Sequence, residues 1–240
     1  MASNPAAKPE AVSDVQGDGR WMSLHNRFLA EAKEKEPEVL FVGDSLIQQL
    51  QFTPIWRQMF EPLHCLNFGI GGDQTQHVLW RLANGELEYI EPKVVVLLVG
   101  TNNHEHSAEQ VADGILAIVS LIQKHLPRTQ LIVLGIPPRG ETPNKLREKI
   151  ATINSRLAES LSGLDNCTFL PVDPGLFVSA EGLISCRDMY DYLHLTPAGY
   201  QKLCEPLLDE IQNLMKTYVK VDSTSVETAS MAGQLAGDMS

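Results

Sequence analysis

Five short apolar runs, at residues 39–42, 65–68, 94–99, 131–134 and 168–172, recur along this chain with longer segments of helical period between them. Each ends against Gly or Asp, and the first, third and fourth consist of Val, Leu, Ile and Phe at every position. Runs without polar alternation belong to strands buried on both faces, as when helices cover both sides of a parallel sheet. The segments between them supply such helices. Over 107–126, Ser107 and Gln110 stand in capping-box spacing, and Val111, Ile115, Ile118, Val119 and Ile122 then form one stripe. Leu146, Ile150, Ile153, Leu157 and Leu161 share a face over 144–161. Thr196-Pro197 offers an N-cap and N1 proline to a last helix carrying Leu203, Leu207, Ile211 and Leu214. The expected fold is α/β: one doubly wound, flavodoxin-like domain with a five-stranded parallel sheet. Its ligand crevice lies at the carboxyl ends of the strands.

Charge narrows the function classes. Thirty acidic against 19 basic side chains leave a net charge of −11 with no Lys/Arg run, which argues against a nucleic-acid binder. The longest apolar run, 94–99, falls far short of the about 20 residues that span a bilayer, and residues 1–20 lack the pattern of a signal peptide. Cys65, Cys167, Cys186 and Cys204 are widely spaced with no CxxC, a pattern of reduced thiols. A soluble, cytoplasmic protein is expected. The domain is assigned to 20–218, with 1–19 and 219–240, poor in apolar periodicity, expected as mobile tails.

Chemistry concentrates just past the strand ends. The first run leads into Gly43-Asp44-Ser45, where a serine at a helix start is either a nucleophile beside free backbone N–H groups or a simple cap. The second leads into a glycine loop, Asn67-Phe68-Gly69-Ile70-Gly71-Gly72-Asp73, where Gly72 either offers its N–H to the site or serves an ordinary tight turn. The third ends in Gly100-Thr101-Asn102-Asn103-His104, with two side-chain amides suited to an oxyanion or to an Asx turn. Asp191-Tyr192-Leu193-His194 precedes the last helix, and a helical turn would put its carboxylate and imidazole on one side. Each feature alone is common, but Ser, Asp and His in this order at several crevice ends is hard to explain as independent turns. The polar string His104-Glu105-His106 lacks further matched metal ligands, and Gly69-Ile70-Gly71-Gly72 matches no nucleotide motif, so neither metal nor cofactor is expected.

These four blocks resemble those of the SGNH (GDSL-type) hydrolase superfamily. Longer strings, including His77-Val78-Leu79-Trp80-Arg81-Leu82 and Asn84-Gly85-Glu86-Leu87-Glu88, are similar to one branch, the catalytic α subunits of type Ib platelet-activating factor acetylhydrolase. Leu46, Gln74-Thr75-Gln76-His77 and Asp188-Met189-Tyr190 lean toward its α1 form rather than α2. The resemblance implies that Ser45 is the nucleophile, His194 the general base and acid, and Asp191 its orienting carboxylate. It implies an oxyanion hole from the backbone N–H of Ser45 and Gly72 with the Asn102 amide, Asn102 being chosen over Asn103 by motif position. Leu46, Thr101 and Leu193, each tethered within a residue of these groups, would line an acyl pocket sized for acetyl; packing of the core is the alternative for the two leucines. The implied reaction is removal of the short sn-2 acyl group of an ether phospholipid, with another small acetyl ester as the alternative substrate. A homodimer or heterodimer with a paralogous α subunit, and a WD40-repeat lissencephaly-associated regulatory subunit, are the implied partners, so a mainly interaction-bearing role stands beside catalysis.

Overall fold

A computed structural model describes the backbone of residues 4–237 and the side chains of residues 4–218. Strands β1 (Val39–Gly43), β2 (Cys65–Gly69), β3 (Val94–Leu98), β4 (Gln130–Leu134) and β5 (Cys167–Leu170) form one parallel sheet in the order β2-β1-β3-β4-β5. The fifth strand stops two residues earlier than expected because Pro171 has no N–H to donate to the ladder. The chain leaves β1 toward β2 and returns on the other side for β3, so the switch point lies at β1. Gly43 pairs with both Gly69 and Leu98, so the segments after three strands emerge side by side.

Helices α1 (Arg20–Glu34), α2 (Ser45–Leu50), α3 (Pro54–Met59), α4 (Thr75–Arg81), α5 (Ala108–His125), α6 (Lys145–Leu161) and α7 (Pro197–Gly237) complete the fold. On one face, α3 packs on α7, with Phe41 of β1 edge-on to Trp56 and Phe60 at 5.2 and 4.8 Å. On the other, α5 packs between α4 and α6, and Phe28 of α1 stacks on Phe68 at 4.6 Å. Both halves of the α5 capping box form, Gln110 N donating to Ser107 Oγ at 3.2 Å and Ser107 N to Gln110 Oε1 at 2.9 Å. Fully buried leucines such as Leu40 and Leu97 each contribute about 1.5–3 kcal/mol of transfer free energy. The first helix escapes a capping search because its N-cap is Gly19, which has no side chain to accept.

Part of the segment expected as a loose N-terminal tail is docked. Ala6 is fully buried, its carbonyl accepts from Thr75 Oγ1 at 2.7 Å, Asn4 Nδ2 donates to Gln110 O at 3.1 Å, and Glu10 N donates to Gln76 O at 3.1 Å. Room for it comes from Gly114, where a Cβ would stand 2.5 Å from Ala6 O. At the other end α7 continues to Gly237, and the side chains expected in the 219–240 tail lie outside the described residues. Among the described residues no helix is long and apolar enough to cross a membrane.

Candidate active site

Two glycines let α2 sit tightly on the strand ends. A Cβ at Gly43 would meet Ile47 Cγ1 at 2.6 Å, and one at Gly69 would meet the Gln48 backbone N. Asp44 caps the helix by accepting from Leu46 N at 2.9 Å, which starts α2 at Ser45. Capping is therefore done by Asp44, leaving the Ser45 hydroxyl for another partner. The other carboxylate oxygen of Asp44 is buried with no hydrogen-bond partner among the described residues. Burial pushes the Asp44 carboxyl up to about 7 against the Leu46 N–H; Asp73 raises it further and Arg139 opposes.

The partner of Ser45 arrives from 149 residues away: His194 Nε2 lies 3.0 Å from Ser45 Oγ, and His194 Nδ1 lies 2.7 Å from Asp191 Oδ2. The Asp191–His194 spacing is not the helical turn that it suggests. Met189 and Leu195 form an isolated antiparallel bridge, Tyr190 N donates to His194 O at 3.1 Å, and Tyr192 sits at φ 61°. Inside this loop the other Asp191 oxygen accepts from Leu193 N at 3.1 Å and His194 N at 2.7 Å, an Asx turn that achieves the pairing without a helix. Burial works against the Asp191 charge, but the hydrogen bonds from the His194 ring and from the His194 and Leu193 backbone outweigh it and hold its pKa below the usual carboxylate range.

The glycine loop lies beside Ser45: a Cβ on Gly71 would be 3.8 Å from that of Ser45, and Gly71 N donates to Gln48 Oε1 at 3.0 Å. Gly72 is exposed at φ +84°, a left-handed conformation that glycine adopts without cost. The two amides of the next loop have different surroundings. Asn103 is buried, accepting from Thr75 N at 3.0 Å and donating to Thr75 Oγ1 and Gln76 Oε1, each at 3.1 Å, so its amide ties that loop to α4. Asn102 is half-buried, donates one N–H to Asp73 O at 3.0 Å, and has a second to offer.

Of the three acyl-pocket candidates, Leu46 lies in the core and its carbonyl accepts from Tyr200 Oη at 2.7 Å. Thr101 is held by Arg139, whose Nη1 donates to its carbonyl at 2.9 Å and its hydroxyl at 3.2 Å. Leu193 is half-buried in a cleft of about 420 Å³ that Arg139 also lines. Arg139 carried no sequence signal, being a single basic residue in a loop. Tyr190, read in the sequence only as part of the Asp188-Met189-Tyr190 string, stacks its ring on His194 at 5.8 Å and donates its hydroxyl to Gln49 Oε1 at 3.2 Å. His106 Nδ1 lies 3.2 Å from Asn103 Nδ2, and Lys149 Nζ donates to the carbonyls of Asn103 and His104. Among the described residues no three His, Cys, Asp or Glu side chains gather as metal ligands. The thiols are all free, and burial pushes Cys65, Cys167 and Cys204 up, Cys167 to about 11.

The model of the GDSL-like lipase/acylhydrolase family matches residues 41–202. Platelet-activating factor acetylhydrolase IB subunit alpha2 from Homo sapiens is 57% identical over 224 residues, covering 93% of this chain and 97% of that relative. The alpha1 subunit from Rattus norvegicus is 60% identical over 204 residues, covering 85% and 88%. Among solved structures, a protein described as a putative platelet activating factor from Streptococcus pneumonia superposes with a TM-score of 0.69 at 25% identity, covering 79% of this chain and 92% of that one. A carbohydrate esterase family 3 protein from Talaromyces cellulolyticus shares the fold at a TM-score of 0.57 and 18% identity, covering 75% and 99%.

Proposed function

We propose a serine-esterase mechanism for this chain, which belongs to the GDSL-like lipase/acylhydrolase family and is a carboxylic ester hydrolase. The hydrogen-bonded chain Asp191–His194–Ser45 carries this reading. Ser45 Oγ attacks the ester carbonyl while His194 Nε2 takes its proton, and Asp191 keeps the Nδ1–H tautomer and balances the imidazolium. The oxyanion is held by the N–H of Ser45, the N–H of Gly72 and the free N–H of Asn102. His194 then protonates the leaving alcohol and activates the water that releases the acid.

The substrate is the sn-2 acetyl ester of platelet-activating factor and related short-acyl ether phospholipids. The name that two sets of relatives share at 57–60% identity supports this. Their designation as subunits supports assembly with a second α-type chain, identical or paralogous. A WD40-repeat regulatory subunit and a cytoplasmic location belong to the same proposal. An organophosphate fluoride should label Ser45 one-to-one and abolish hydrolysis of an acetyl ether phospholipid, and Ser45→Ala should lose both labelling and about 10⁴–10⁶ of turnover. More than a tenth of the wild-type rate in Ser45→Ala would end the serine mechanism.

A further inference from the structure

We propose that Arg81, acting through Asp73, is a positioning residue for the oxyanion hole, an inference that rests on the role given above to Gly72 and Asn102. Arg81 is the last residue of α4 and is wholly buried. Its Nε donates to Asp73 Oδ2 at 2.8 Å, its Nη1 to Glu86, and its Nη2 to Phe68 O at 3.1 Å and, more weakly, to Gly43 O at 3.4 Å. Asp73 Oδ1 in turn accepts from Trp21 Nε1 at 2.7 Å, and Glu86 meets His25 Nδ1 at 2.8 Å. Burial works against the Arg81 charge, but the Glu86 and Asp73 carboxylates outweigh it and hold its pKa above the usual guanidinium range.

The backbone of Asp73 touches the site while its side chain is gripped from behind. It follows Gly72 directly, its N donates to Ile70 O at 3.2 Å to close the glycine turn, and its carbonyl anchors Asn102 Nδ2 at 3.0 Å. An amide with one N–H anchored has the direction of its second N–H fixed. Rotation of Asp73 would therefore turn the Gly72 N–H and the Asn102 amide together. A buried ionic cluster is costly to desolvate, and an apolar cluster of the same volume would hold these elements equally well. What apolar side chains lack is a rigid fork of donors that reaches the ends of β1 and β2 and the Asp73 carboxylate at once.

The test is a pair of mutant cycles read as kcat and KM on an acetyl ester, with folding checked by thermal unfolding. Arg81→Lys keeps the charge and loses the fork; it should lower kcat about 10²-fold, the cost of misplacing groups near the reacting atoms. KM should move less than about threefold, since the oxyanion exists only after attack. In an Asn102→Ala background the same change should cost no more than about tenfold, because part of what Arg81 positions is already gone. An unchanged kcat, a loss confined to KM, or an equal factor in both backgrounds would overturn the proposal. If Arg81→Lys does not fold, Trp21→Phe removes the N–H on Asp73, together with part of the ring that packs on His25 and Trp80, and should lower kcat about three- to tenfold, again less so beside Asn102→Ala; equal factors there would overturn it too. Wild-type kcat in Asn102→Ala alone would instead remove the oxyanion assignment, and the proposal with it.

Discussion

His194 Nε2 stands 3.0 Å from Ser45 Oγ, within hydrogen-bond reach, although the two residues lie 149 positions apart. Asp191 completes this line from only three residues away, one oxygen accepting the backbone N–H groups of an Asx turn and the other facing His194 Nδ1.

Because the Asp191 carboxyl is held below the usual range, it stays ionised at neutral pH and remains the acceptor for the His194 ring. The pH-rate profile should therefore carry no limb from this carboxyl near neutral pH. Asp191→Asn should lower kcat about 10⁴-fold by favouring the wrong tautomer while leaving the fold intact. A pH-rate profile of both proteins checks this, and an Asp191→Asn enzyme within tenfold of wild type would remove Asp191 from the mechanism.

Asp44 has the opposite shift, with the opposite linkage. Its folded pKa of about 7 exceeds the unfolded value of 3.8, so between them the folded chain holds a proton that the unfolded chain has released. The stability contributed is full below the unfolded pKa and is lost as pH rises through about 7. Asp44→Asn keeps an oxygen for Leu46 N and removes the charge. Relative to wild type it should gain about 4 kcal/mol at pH 8, roughly 8–16 °C in Tm for a chain of this length, and little at pH 4. Thermal unfolding at the two pH values gives the answer, and a Tm difference that is the same at both would contradict it.

Acyl length should separate Leu193 from Leu46. A packed site admits added methylenes only by displacing side chains, so wild type should cleave acetyl esters at least about tenfold faster than butyryl esters. Leu193→Ala, in the cleft shared with Arg139, should narrow that ratio with little loss of stability. Leu46→Ala, in the core, should cost about 2–5 kcal/mol of stability. Equal rates on acetyl and long-chain phospholipids in the wild type would exclude the acetyl-sized pocket.

Sequence by itself determined the five strands, the helical stripes, the Ser107–Gln110 capping box and the four blocks at the crevice ends. Those features rest on apolar period, cap chemistry and glycine placement, which act over about four residues and can be read locally. Tertiary structure alone decided that Asn103 is spent on Thr75 and Gln76 while Asn102 keeps a free N–H, and that Asn4 to Glu10 docks over Gly114. It also decided that Arg81, the last residue of a short mixed helix, closes an ionic cluster reaching from Trp21 to Glu86. The Asx turn at Asp191 belongs with these, because it forms where Met189 and Leu195 bridge and not where a helix would run. In each case the outcome depends on which donors distant backbone segments bring within about 3 Å of one another, and the order of residues along the chain does not encode that distance.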